Sequence, residues 1–204
     1  MACLRLIGYV ISKIFWFIKY RGIENIPDRS DGGLLIASNH QTYIDPVWIC
    51  LPMNHRLRFM AFDKAFGWRV IGPFIRYLGA FPVSLDPGGT ISAMKRSLNT
   101  LNDGAALTIF PEGGREFADG KFLPFRSGVV QLGLHTGVPV LPVTINGGNR
   151  IWPQKQKYPR LFRRVEIIYH PVLRFDDLDG DDQEERLANA MASLQKAIGS
   201  EYRA

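Results

Sequence analysis

The stretch Leu34-Leu35-Ile36-Ala37-Ser38-Asn39-His40-Gln41-Thr42-Tyr43-Ile44-Asp45-Pro46 contains two kinds of order. Its first five residues make a short, continuous apolar run. A strand covered on both faces needs that pattern, because neither side of it meets water. Asp45-Pro46 then carries a helix-start signal: aspartate can cap, and proline is pre-set for the first helical turn. A buried strand passing through a polar turn into a helix is the repeating step of an α/β sheet.

That step recurs along the chain. Further strands are predicted at Leu57 to Ala61, Ala80 to Ser84, Ala105 to Phe110, Val138 to Ile145 and Val165 to Tyr169. Helices are predicted at Pro46 to Leu51, Asp63 to Tyr77, Gly88 to Leu101, Gly128 to His135 and Gln183 to Ile198. The alternation predicts an α/β fold in which a single domain, 23–204, holds a largely parallel central sheet flanked by helices. In such sheets ligands gather beyond the carboxyl ends of the strands, so chemistry-bearing residues should follow strands.

Residues 1–22 read differently. Leu6 to Ile18 is apolar except for Ser12 and Lys13, and it is too short to span a bilayer. No small-residue cleavage site follows before Lys19-Tyr20-Arg21-Gly22. At about 100° per residue, Arg5, Ser12, Lys13 and Lys19 share one face and apolar side chains fill the rest. The spacing predicts an amphipathic helix lying in the membrane plane; packing on the domain's own core is the other reading it allows. The net charge of +6 favours anionic partners. Aromatic residues beside Lys and Arg near the N-terminus favour an anionic membrane surface among them. A second aromatic-basic segment, Phe59 to Phe81, points the same way. Peripheral or monotopic placement on the cytoplasmic face of the cell membrane is expected.

Several features carry little chemistry. Cys3 and Cys50 make neither a disulfide framework nor a metal site, which suits a reducing compartment; Cys50, in an apolar stretch, reads as a packing residue. His55 beside Arg56 reads as exposed, His135 as a cation at a helix end, and His170 as a strand-end residue; no metal is expected on any of them. The acidic run from Asp176 to Asp182 fails as a calcium loop, since acids are missing at the required first and twelfth positions. It suits a solvated turn that caps the last helix. Arg160, Arg163 and Arg164 with Tyr158 and Phe162 form a basic-aromatic string without any nucleic-acid motif, so a solvated or membrane-facing edge is expected and no nucleic acid.

Two strings can carry a reaction. In Asn39 to Pro46, His40 and Asp45 stand with four residues between them at a strand-to-helix junction. An imidazole with an unperturbed pKa near ~6.5 suits proton abstraction at neutral pH. A carboxylate on its other nitrogen would fix the tautomer and stabilise the imidazolium. Within one regular helix the two would point about 140° apart. The pair therefore requires His40 in the loop and Asp45 at the helix start. Asp45 read alone is also an ordinary cap, and His40 alone a structural histidine. The second string, Phe110-Pro111-Glu112-Gly113-Gly114-Arg115, follows the strand Ala105 to Phe110. Its glycines allow close backbone approach and Arg115 can grip a phosphate through paired donors, although a plain turn with a solvated arginine fits too.

Together these strings resemble the glycerolipid acyltransferase superfamily, especially bacterial lysophosphatidic acid acyltransferases. Asn39-His40-Gln41 with Asp45-Pro46 matches the family's His-x4-Asp signature, and Phe110-Pro111-Glu112-Gly113 with Arg115 a later one. Gly137-Val138-Pro139-Val140-Leu141-Pro142-Val143, preceded by Pro124 to Gly128, matches a third, in family order over roughly residues 20 to 150. The resemblance implies an O-acyltransferase of phospholipid biosynthesis. Its donor would be acyl-CoA or acyl-carrier protein, and its acceptor a lysophospholipid such as 1-acylglycerol-3-phosphate. It implies His40 as general base, Asp45 as its orienting carboxylate, and Glu112, Gly113, Gly114 and Arg115 as acceptor-binding residues. Attack would be direct and no cofactor would be needed beyond the donor; the chain has no Gly-x-Ser-x-Gly elbow. Two positions depart from the pattern: Leu85 and Phe62 stand where relatives carry phosphate-binding arginine and lysine. Lys64, Arg76, Lys121 and Arg126 are the candidates to substitute. The departures keep a non-phosphate acceptor (an aminolipid or glycolipid) open. Hydrolysis as an acyl thioesterase, or a lipid-binding module without catalysis, are the other readings.

Overall fold

The computed structural model describes residues 2–69, 71–84, 87–115, 121–154, 156–177, 180 and 182–203, with all side chains except those of 2–4, 87 and 177. In chain order the elements are α1 (Ala2–Trp16), β1 (Lys19–Arg21), β2 (Leu34–Ser38), α2 (Asp45–Cys50), β3 (Leu57–Phe62), α3 (Ile71–Tyr77) and β4 (Ala80–Val83). They continue with α4 (Pro87–Asn102), β5 (Ala106–Ile109), α5 (Gly128–Thr136), β6 (Val140–Asn146), α6 (Gly148–Ile151), β7 (Glu166–Tyr169) and α7 (Gln183–Gly199).

The seven strands form one sheet in the order β1-β7-β6-β2-β5-β3-β4. Five of them, β6 through β4, are mutually parallel, while β7 runs antiparallel to β6 and parallel to β1. β2 sits at the centre and is buried along its whole length. Its alternating side chains feed two cores. Leu34 and Ile36 join Trp48, Ile49, Leu141 and Ile167 on one face. Leu35 and Ala37 join Leu107, Val130, Ala190 and Leu194 on the other. The single α/β domain with its mostly parallel sheet is therefore as predicted. Asp182 accepts from the Glu185 amide at 2.8 Å and so caps α7, as expected of the acidic run.

Three expectations need correction. Lys19–Arg21 is a strand paired with β7, so the sheet reaches back into the segment assigned to residues 1–22. The helix predicted from Asp63 to Tyr77 is broken into a 3-10 turn, Asp63–Gly67, and α3. Pro73 explains the break: it has no N–H to bond backward and its ring would crowd the carbonyl four residues before it, so it fits only in a first turn. His55, expected on the surface, is buried at 3% exposure, beneath Arg5, whose guanidinium takes its backbone carbonyl at 2.9 Å.

α1 packs on the domain, but with its polar side inward. Arg5 bonds the carbonyls of Met53 and His55, Ser12 is buried, and Trp16 meets Trp48 edge to face at 5.6 Å. Leu6, Ile7, Val10, Ile11 and Ile14 point away from the domain, each more than two-fifths exposed. This reverses the usual arrangement, in which a surface helix buries its apolar stripe on the core. No helix among the described residues is long and apolar enough to cross a membrane.

Candidate active site

The turn after β2 is held by a side chain acting as backbone. Asn39, fully buried, donates from Nδ2 to the Ile145 carbonyl at 2.9 Å and accepts from the Ile145 amide at 2.7 Å. It thus adds one rung between β2 and β6 beyond the last strand residue. His40 follows immediately and is directed out of the sheet at its carboxyl end.

His40 lies in the loop and Asp45 is the first residue of α2, so the geometric condition on the pair is met. His40 Nδ1 is 2.9 Å from Asp45 Oδ2. Asp45 is fully buried and caps no helical amide. Its carboxylate turns back along the chain. Oδ2 also accepts from the amides of Gln41 at 2.6 Å and Thr42 at 2.7 Å, and Oδ1 accepts from the Thr42 hydroxyl at 2.6 Å. A carboxylate surrounded by donors serves as the acceptor of each bond, so His40 Nδ1 carries the shared hydrogen. Nε2 is then the basic nitrogen, and it makes no hydrogen bond among the described residues. The ring stacks on Phe110 at 3.9 Å between centres, with 16° between planes.

Glu112 approaches the same turn from β5. Its buried carboxylate accepts from the His40 amide through Oε1 at 2.8 Å and from the Leu123 amide through Oε2 at 2.7 Å. Both oxygens are thereby engaged by backbone, tying the His40 turn to the segment after 120. Gly113 adopts φ 66° and lies so close to Arg126 that a Cβ there would come within 2.8 Å of its Nε. Arg115 stacks its guanidinium over Tyr43, 3.7 Å from the ring centre, and donates to the Trp152 carbonyl at 3.4 Å. Tyr43 in turn meets Trp152 and Trp68 edge to face.

The structure therefore brings together His40, Asp45, Glu112, Gly113 and Arg115 and adds Asn39, Thr42, Tyr43, Phe110 and Trp152. Of the four cations named as substitutes, Arg126 lies against the glycine turn. Lys64 and Arg76 rest on the rings of Phe62 and Phe66. Phe62 is half-exposed at the end of β3; Leu85 lies outside the described residues. A separate cavity of about 510 Å³, lined by Tyr20, Arg21, Asn25, His170 and Glu201, shares no residue with this site. Arg21 there is already paired with Glu201 at 2.5 Å. No cluster of metal-ligating side chains occurs among the described residues.

Comparison with known proteins gives a consistent result. Residues 17–146 match the family model described as Acyltransferase. The chain is similar to the chloroplastic 1-acyl-sn-glycerol-3-phosphate acyltransferase BAT2 of Brassica napus, 30% identical over 87% of this chain and 52% of that protein. It is also similar to the 1-acyl-sn-glycerol-3-phosphate acyltransferase of Bacillus subtilis, 27% identical over 89% of this chain and 86% of the relative. The crystal structure of the 1-acyl-sn-glycerophosphate (LPA) acyltransferase PlsC from Thermotoga maritima superposes with a TM-score of 0.68. It shares 25% identity and covers 92% of this chain and 73% of that one. The chain spans about half the length of the chloroplastic relatives it matches.

Proposed function

The chain belongs to the Acyltransferase family, and on that premise we propose that it moves a fatty acyl group from acyl-CoA or acyl-carrier protein to the free hydroxyl of 1-acylglycerol-3-phosphate, in phospholipid synthesis at a membrane surface. The observation that carries the reading is the His40–Asp45 pair, with Nδ1 tied to a buried carboxylate and Nε2 open at the carboxyl end of the sheet.

His40 Nε2 takes the hydroxyl proton of the acceptor as its oxygen attacks the thioester carbonyl carbon. Asp45 stabilises the imidazolium that forms. When the tetrahedral adduct collapses, the C–S bond breaks and the imidazolium returns the proton to the leaving thiolate. Ester and free thiol are the products, and no acyl-enzyme is formed. Glu112 acts on the acceptor indirectly, by fixing the His40 turn against the Gly113–Arg115 segment. Arg115 and Arg126, on either side of that segment, are the cations available to an acceptor phosphate. The bare apolar face of α1 and the exposed Trp68, Ile71, Phe74 and Tyr77 support peripheral membrane association from the side where thioester donors are dissolved.

A second reading keeps the chemistry and widens the acceptor. Phe62, half-exposed where relatives place a lysine, favours lipids without a phosphomonoester. Purified protein supplied with acyl-CoA should release free thiol only when a lysolipid is present, and should form the matching diacyl lipid. His40→Ala should lower that rate by about 10²–10⁴-fold with an unchanged melting curve. Equal thiol release without any acceptor would make the protein a thioesterase; a His40→Ala variant at wild-type rate would remove the mechanism.

A further inference from the structure

Two non-glycine residues among those described hold a left-handed backbone, Phe17 (φ 42°) and Phe162 (φ 56°). A bulky side chain in that region is a real outlier and persists only where its surroundings impose it. Here they do. The Phe162 amide donates to the Phe15 carbonyl at 2.6 Å, and Trp16 Nε1 donates to the Arg160 carbonyl at 3.0 Å. The two outliers lie against each other, with ring centres 6.4 Å apart, and Phe162 also meets Phe15 at 6.1 Å.

This strained contact buries neither ring. Phe17 is 49% exposed and Phe162 62%. Leu161 and Tyr158 beside them are also open, as are Lys157, Arg160, Arg163 and Arg164. None of these four cations belongs to an ion pair among the described residues. The loop 157–164 thus continues the outward apolar face of α1 and surrounds it with unpaired positive charge.

We propose that loop 157–164 is a second membrane-contact element, which seats Leu161 and Phe162 beside Phe17 in an anionic lipid surface while the flanking Arg and Lys side chains meet headgroup phosphates. Apolar tips ringed by cations match the layering of a bilayer interface, apolar below and anionic above. No nucleic-acid-binding motif accompanies these residues in the sequence. A second copy of the chain would oppose the same four cations to one another. With α1 the loop makes a two-point contact, which fixes the tilt of the domain and so the height of His40 above the lipid. The inference rests on the proposed function only in supposing that the acceptor resides in a membrane.

The test uses the full chain without substrate, sedimented with vesicles of mixed phosphatidylglycerol and phosphatidylcholine or of phosphatidylcholine alone. Leu161→Ser with Phe162→Ser should weaken partitioning about ten- to a hundredfold on both. Arg163→Gln and Arg164→Gln should each cost about fivefold on the anionic vesicles alone, an effect that added salt removes. Phe162→Gly separates presentation from packing: it relieves the left-handed backbone, so the melting temperature should hold or rise while vesicle binding falls. Wild-type binding in the double serine variant would overturn the proposal. So would loss of a dimer in sedimentation velocity without loss of vesicle binding, since the surface would then serve a second copy. Because no acyl transfer is measured, failure of the catalytic reading leaves these results standing.

Discussion

Asp45 is the residue whose surroundings change most between sequence and structure. The Asp-Pro pair suggests a helix cap, yet its carboxylate accepts from His40, two loop amides and the Thr42 hydroxyl, and caps nothing. Asp45→Asn would set an amide N–H₂ against some of those donors. It should therefore lower turnover by orders of magnitude and also cost about 1–3 kcal/mol of stability, read as a shift in urea midpoint. Retained activity would assign the carboxylate to folding alone. Tyr43 supports a finer test. Its ring carries the Arg115 guanidinium, a contact worth about 0.5–2 kcal/mol, or roughly 2- to 30-fold in affinity. Tyr43→Phe should leave the kinetics for lysophosphatidate near wild type. Tyr43→Leu should raise its KM with little change in kcat, and should spare a lysolipid without phosphate. The His40–Asp45 pair was legible through its match to the His-x4-Asp signature, since spacing and chemistry alone left Asp45 a cap and His40 a structural histidine. Asn39, Phe110 and Tyr43 were not, because their partners, Ile145, His40 and Arg115, stand far from them along the chain.

Among the elements, buried strands were the easiest to read. β2, β5 and β6 sit in the middle of the sheet, and continuous apolar runs are what such strands require. β1 escaped notice because Lys19-Tyr20-Arg21 is a short edge strand, with half its character set by β7 rather than by its own composition. α1 shows the limit of amphipathic reading: the periodicity was visible, but not which side meets the domain. Since Ile7 and Ile14 touch no core, Ile7→Ser with Ile14→Ser should leave thermal stability within about 0.5 kcal/mol of wild type. The same variant should bind vesicles more weakly. A large drop in melting temperature would mean that these side chains are packed after all.

At the scale of the whole molecule, two buried histidines link folding to pH. Burial holds the imidazoles of His55 and His170 below the ordinary value of 6.5. The Thr144 hydroxyl donates to the Ile198 carbonyl at 2.6 Å and so accepts from His170 Nε2 at 2.7 Å. The unfolded chain therefore takes up these protons first as pH falls. Their stabilising effect is complete above about pH 6.5 and is lost as pH drops from there through the folded-state values. Melting temperature should fall between about pH 7.5 and pH 5.5, and His55→Gln combined with His170→Gln should flatten that slope. The inverted seating of α1 has a further consequence, for how such a chain changes over generations. The inward residues Arg5, Ser12 and Trp16 are bound to the fold and can drift little. The outward row from Leu6 to Ile14 is under no obligation to the core, so substitutions there alter only what the surface adheres to. A lineage that comes to meet a different surface has these positions free to rewrite, with the His40 turn left untouched.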